Sequence, residues 1–79
     1  MVKIPVKVQT TSVPGEFLNP VSFSLRGRTF QVMEVVDRWH GIDHAYYKLI
    51  ADDGNLYVIL HELNADTWEL VQMEVITGS

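Results

Sequence analysis

Apolar residues recur at every second position through most of this chain, and no stretch holds a capped 3.6-residue helical period. That alternation belongs to strands with one buried face and one solvated face. Ile4, Val6 and Val8 alternate with Lys3, Pro5, Lys7 and Gln9 and predict a first strand. Pro5 predicts that it lies at a sheet edge, because proline cannot donate to a ladder. Residues 10–19 hold Ser12, Pro14, Gly15 and Asn19 and read as the longest loop. Val21, Phe23 and Leu25 then alternate with Ser22, Ser24 and Arg26 as a second strand.

Turn chemistry supplies the registers. A type II′ turn at Gly27-Arg28 places Leu25 opposite Phe30 and Phe23 opposite Val32. Continuing the third strand would bury Glu34, so a bulge near Met33-Glu34 is expected, with Val35 or Val36 returning to the core. His40 to Asp43 reads as a loop and His44 to Ala51 as a strand. Asp53-Gly54 predicts a type I′ hairpin that pairs Ala51 with Leu56, Leu49 with Val58 and Tyr47 with Leu60. That register gives the hairpin a second apolar face, with Ile50 opposite Tyr57, Lys48 opposite Ile59 and Tyr46 opposite His61. Asn64 to Thr67 reads as a turn, with a short helical turn over 63–68 as the competing form. Trp68 to Ile76 reads as the last strand, and Thr77-Gly78-Ser79 as a frayed end.

These elements make one all-β domain over residues 1–79. It is an antiparallel six-stranded meander, closed or partly closed as an SH3-like barrel. A flat open sheet is the alternative. The chain has 79 residues and no cysteine, so a disulfide scaffold, a cysteine-ligated zinc finger and a thiol nucleophile are excluded. A core of that size must come from closing the sheet. The charge and proline in Met1 to Pro5 do not suit a signal peptide, and no apolar run approaches membrane-spanning length. The expected compartment is the cytoplasm.

The candidate site residues are Arg26, Arg28, Arg38, Trp39, His40, Tyr46, Tyr57 and His61. Through residue 40 there are five basic and three acidic residues; from residue 41 there are one and seven. Arg26, Arg28, Arg38, Trp39 and Tyr46 near one end would hold a single strand of nucleic acid by charge and stacking. The formal net charge of -4 opposes a phosphate backbone. His40, Asp43, His44 and His61 offer ligand types for a divalent ion, but their spacing matches no established metal motif. Glu34 reads as a bulge residue and Asp52-Asp53 as turn residues, not as an acid/base pair. Trp68 reads as core, and Trp39, beside Arg38 and His40, reads equally as a core plug or as a rim binding residue. No nucleophile motif, phosphate loop or dinucleotide fingerprint is present. No catalytic residue, metal or cofactor is therefore expected.

The segment Val21-Ser22-Phe23-Ser24-Leu25-Arg26-Gly27-Arg28-Thr29-Phe30-Gln31-Val32, followed by Glu34 and Asp37-Arg38-Trp39, resembles a family of short bacterial cytoplasmic proteins of unassigned activity. Tyr46-Tyr47 and Trp68-Glu69-Leu70 extend the resemblance over most of the chain from Pro20 onward. Many members are more basic, with tryptophan at the place of Leu25. Some are associated with genes for error-prone DNA repair polymerases. The resemblance implies a compact all-β domain and carries over no catalytic residue. The function expected first is a non-catalytic module that binds a protein partner or itself, through the N-terminal strand edge or the Tyr46, Tyr57 and Ile59 face. A nucleic-acid accessory domain stands second and a small His/Asp metal protein third.

Overall fold

The computed structural model describes residues 4–11 and 19–76. Six antiparallel strands follow one another: β1 (Ile4–Thr11), β2 (Asn19–Leu25), β3 (Arg28–His40), β4 (His44–Ala51), β5 (Leu56–Glu62) and β6 (Thr67–Glu74). They close in that order into a small β-barrel, consistent with an SH3-like barrel. The helical alternative over 63–68 is not adopted; residues 63–66 form a turn. Most of the expected loop 10–19 and the end at Thr77 to Ser79 lie outside the described residues.

Closure occurs where Ile4, Pro5 and Val6 of β1 pair with Leu70, Glu69 and Trp68 of β6. The edge position expected from Pro5 is thus corrected. β1 bonds to β6 through its first half and to β2 through Lys7–Thr11. Pro5 has a described partner strand on the β6 side alone, and one missing donor is tolerated there.

The β2–β3 turn is Arg26-Gly27, not Gly27-Arg28. Both residues have positive φ, 52° and 81°, as a type I′ turn requires. Phe23 therefore pairs with Phe30, and Leu25 with Arg28. The slip is two residues, an even number, so the inward set is kept. Val21, expected inside, is exposed. Gln9 pairs with Ser22 and Thr10 with Pro20, which leaves Val21 as the extra residue of a bulge. β3 carries two bulges where one was expected. Its register to β4 shifts between Val32 and Glu34 and again between Val35 and Asp37. Met33 and Val36 are the displaced residues, Val35 packs on the core, and Glu34 stays exposed.

The β4–β5 hairpin slips by one residue. Gly54 has φ 82°, its N–H donates to the Ala51 carbonyl at 2.9 Å, and Ala51 N–H donates to the Asn55 carbonyl at 3.1 Å. This is a three-residue loop closed by a left-handed glycine, not a two-residue type I′ turn. Leu49 accordingly pairs with Tyr57, Tyr47 with Ile59 and Ala45 with His61. A one-residue slip turns every β5 side chain over. Tyr57, Ile59 and His61 enter the barrel, and Leu56, Val58 and Leu60 take the outer face beside Ile50, Lys48 and Tyr46.

Leu49, Ile59, Phe23 and Tyr57 are the largest fully buried side chains. Phe23 stacks on Phe30 at 5.2 Å, and Tyr57 meets the two rings at 5.0 and 5.6 Å. Burying one such ring contributes about 1.5–3 kcal/mol. No helix among the described residues is long and apolar enough to cross a membrane.

Candidate functional site

The arginine cluster expected near one end does not form. Arg26 and Arg28 flank the β2–β3 turn, whereas Arg38, Trp39 and His40 lie at the far end of the 13-residue β3. At about 3.3 Å per residue the separation is on the order of 30 Å along the strand. Arg28 lies over the Phe30 ring at 5.1 Å, and Arg38 Nη2 donates to Asn19 Oδ1 at 3.3 Å. Both are engaged locally.

The sheet separates His44 from the other two histidines: His40 and His61 both lie opposite the inward-facing Ala45, and His44 is on the other face. His61 is 3% exposed inside the barrel. It stacks on Trp68 at 3.8 Å with the rings 4° apart, and its Nε2 meets Asp66 Oδ1 at 3.0 Å. A carboxylate only accepts, so Nε2 carries the proton. His44 lies outside, with Nδ1 2.8 Å from Asp43 Oδ1. His40 sits at the end of β3 with its ring edge-on to Tyr47 at 6.1 Å. Among the described residues no three His, Asp or Glu side chains converge as metal ligands. Tyr57 and His61, expected on a binding face, are core residues. Trp68 packs on the core between Tyr47 and His61.

What the strands do bring together lies on the outer face at one end of the barrel. Trp39 pairs with Tyr46, Tyr46 with Leu60, and His44 with Glu62. Trp39 is 47% exposed. Beside this row is a concavity of about 230 Å³ lined by Asp43, His44, Tyr46, Leu60, Glu62 and Asn64. Two loops build its rim. Leu63 N–H donates to the Asp43 carbonyl at 2.9 Å, tying the β5–β6 turn to the β3–β4 loop. Gly41 N–H donates to the His44 carbonyl at 2.7 Å. Any Cβ at position 41 would lie 2.7 Å from His44 Cε1, so glycine is what lets the imidazole settle over this loop. The ring also meets Tyr46 edge-on at 5.4 Å.

The concavity is electrically one-sided. Its lining holds two carboxylates and an amide, and neither lysine nor arginine. The His44 hydrogen bond holds the Asp43 carboxyl below the usual carboxylate range. The lining holds no serine, threonine or cysteine, and the Tyr46 phenol is its hydroxyl. Sequence alternation identifies Trp39 and Tyr46. The sequence singles out Asp43 and His44 as ligand types, whereas Leu60, Glu62 and Asn64 join them because the β3–β4 loop and the β5–β6 turn meet.

No protein-family model, curated protein or solved structure matches the chain.

Proposed function

We propose that the barrel is a non-catalytic interaction module that docks a protein partner on the outer face of β3, β4 and β5, around Trp39 and Tyr46. One observation carries this reading: an indole left 47% exposed on a sheet face, directly opposite a second aromatic residue. Tryptophan and tyrosine are the side chains most enriched at binding hot spots. Ile50 and Val58 continue the same face in a half-buried state, and Val36 is exposed at the second bulge. An apolar surface rimmed by charge is the usual composition of an interface. The cytoplasm suits a domain stabilised without disulfides.

The test uses the full chain and Trp39→Ala as paired baits in native lysate, with sedimentation of each across concentration. The expected result is retention of a defined protein, or self-association, that the substitution reduces at least tenfold. Identical retention by both baits, together with a strict monomer at all concentrations, overturns the reading.

A further inference from the structure

The concavity beside Trp39 has a composition that selects its occupant. Asp43 keeps 63% of its side chain exposed. Only Oδ1 is engaged, by His44, among the described contacts, which leaves Oδ2 for a ligand. Glu62, a second acidic residue, and Asn64 line the same concavity. Tyr46 and the buried Leu60 line it too, with Trp39 opposite Tyr46 on the next strand. Acidic residues beside an aromatic and an aliphatic one match an ammonium or guanidinium on an alkyl stem. The volume of about 230 Å³ lies below the roughly 300–1,000 Å³ of pockets for drug-sized ligands, so one long side chain fits better than a cofactor.

Other ligand classes fit less well. An anion would face Asp43 and Glu62 without any lysine or arginine in the lining. A metal would need a third convergent ligand, which the described residues do not supply.

We propose that this concavity receives a basic side chain, lysine or arginine, presented by the protein partner. The proposal rests on the docking face described above and specifies what the partner must carry. Asp43 makes the charge-assisted contact, Tyr46 and Leu60 pack on the alkyl stem, and His44 positions the Asp43 carboxylate. The field of the acidic half of the chain, one basic against seven acidic residues from position 41 onward, attracts the same class of partner.

The probe is a short blocked peptide with one lysine between glycines, titrated at pH 8 into the full 15N-labelled chain. A norleucine peptide of the same length is the neutral control, and an arginine peptide is a second cationic arm. The expected result is saturable shifts at Asp43, His44, Tyr46 and Asn64 with the lysine or the arginine peptide. The norleucine peptide, and the lysine peptide on Asp43→Asn, should each bind about tenfold more weakly, the loss of one charge-assisted contact. Asn64→Lys places a cation in the concavity and should abolish the shifts while leaving the other resonances in place.

Absence of shifts with both cationic peptides overturns the proposal. So do equal shifts with norleucine, and binding unchanged in Asp43→Asn. Partner retention that depends on Trp39 but is indifferent to Asp43→Asn overturns this proposal and leaves the docking face standing. Retention and self-association indifferent to Trp39→Ala remove the docking face itself.

Discussion

Tyr57 packs its ring against both Phe23 and Phe30 and donates its hydroxyl to Asp53 Oδ2 at 2.5 Å. Burial, and then the Asp53 hydrogen bond, push the Tyr57 hydroxyl up to about 12. For Asp53, burial acts upward, but the bonds from Tyr57 and Asn55 outweigh it and the carboxyl is lowered. Below about pH 10, folded and unfolded chains both keep the phenol proton. Between about 10 and 12 only the unfolded chain releases it, so stability falls across that window. Tyr57→Phe should therefore be less stable at neutral pH by about 1.5–3 kcal/mol, the loss of a hydrogen bond to a charged group. Its urea midpoint should decline less than the parent's from pH 9.5 to 11.5. Equal declines would show that Tyr57 is not the titrating group. Asp53 acts at the other end: its contribution is present above about pH 4 and is lost as pH falls through its lowered folded value. His61 gives a second prediction. Its Nδ1 is buried without a partner, so the ring stabilises mainly by stacking on Trp68. His61→Phe should cost about 1 kcal/mol, and His61→Ala about 3 kcal/mol, because only the latter empties the space. Urea unfolding of the two variants measures the difference, and equal losses would refute the stacking account.

At the scale of elements, turn geometry sets everything that alternation leaves open. The Arg26-Gly27 turn places a non-glycine residue at φ 52°. Arg26→Asn, which suits that region better, should stabilise by about 0.5–1 kcal/mol and raise Tm by roughly 3–6 °C. Gly27→Ala should destabilise by about 1–2 kcal/mol from its φ of 81° alone, since a Cβ there meets nothing within 4 Å. Thermal unfolding of the two variants checks both signs. These same turns separate what the sequence made legible from what it did not. All six strands were readable from alternation, as was the need for a bulge near Met33. The face of β5 was not, because Asp53-Gly54 fits either a two-residue or a three-residue loop, and one residue decides whether Tyr57 and His61 lie inside. Of the candidate site, Trp39 and Tyr46 were legible because β3 and β4 keep their phase there. Asp43 was legible only as a possible metal ligand, and its meeting with Glu62 and Asn64 was not, since it depends on the Leu63-to-Asp43 backbone bond between loops distant in sequence. The expected arginine cluster failed for a related reason: the length of β3 separates residues that composition alone would group.

At the scale of the whole molecule, closure among the described residues rests on three residue pairs between β1 and β6. Every other strand contact joins chain neighbours. The closing pairs hold Ile4 and Val6 against Leu70 and Trp68, roughly 60 residues away, so the loop-closure cost falls on this one seam. Amide exchange should show protection at Val6 and Trp68 lost before that at Leu49 and Ile59, because local opening begins where the fewest contacts must break. Uniform protection across the four sites would refute this. Synthesis adds a clock to the same seam. A ribosome extends the chain by about 5–20 residues per second, so some 3–12 s separate the appearance of Val6 from that of Trp68. Throughout that interval the inward side of β1 has no β6 to meet, and its apolar residues are open to any hydrophobic surface nearby. The nascent chain is thus most vulnerable before its last strand is made, and whatever shields β1 in those seconds governs how much barrel is recovered.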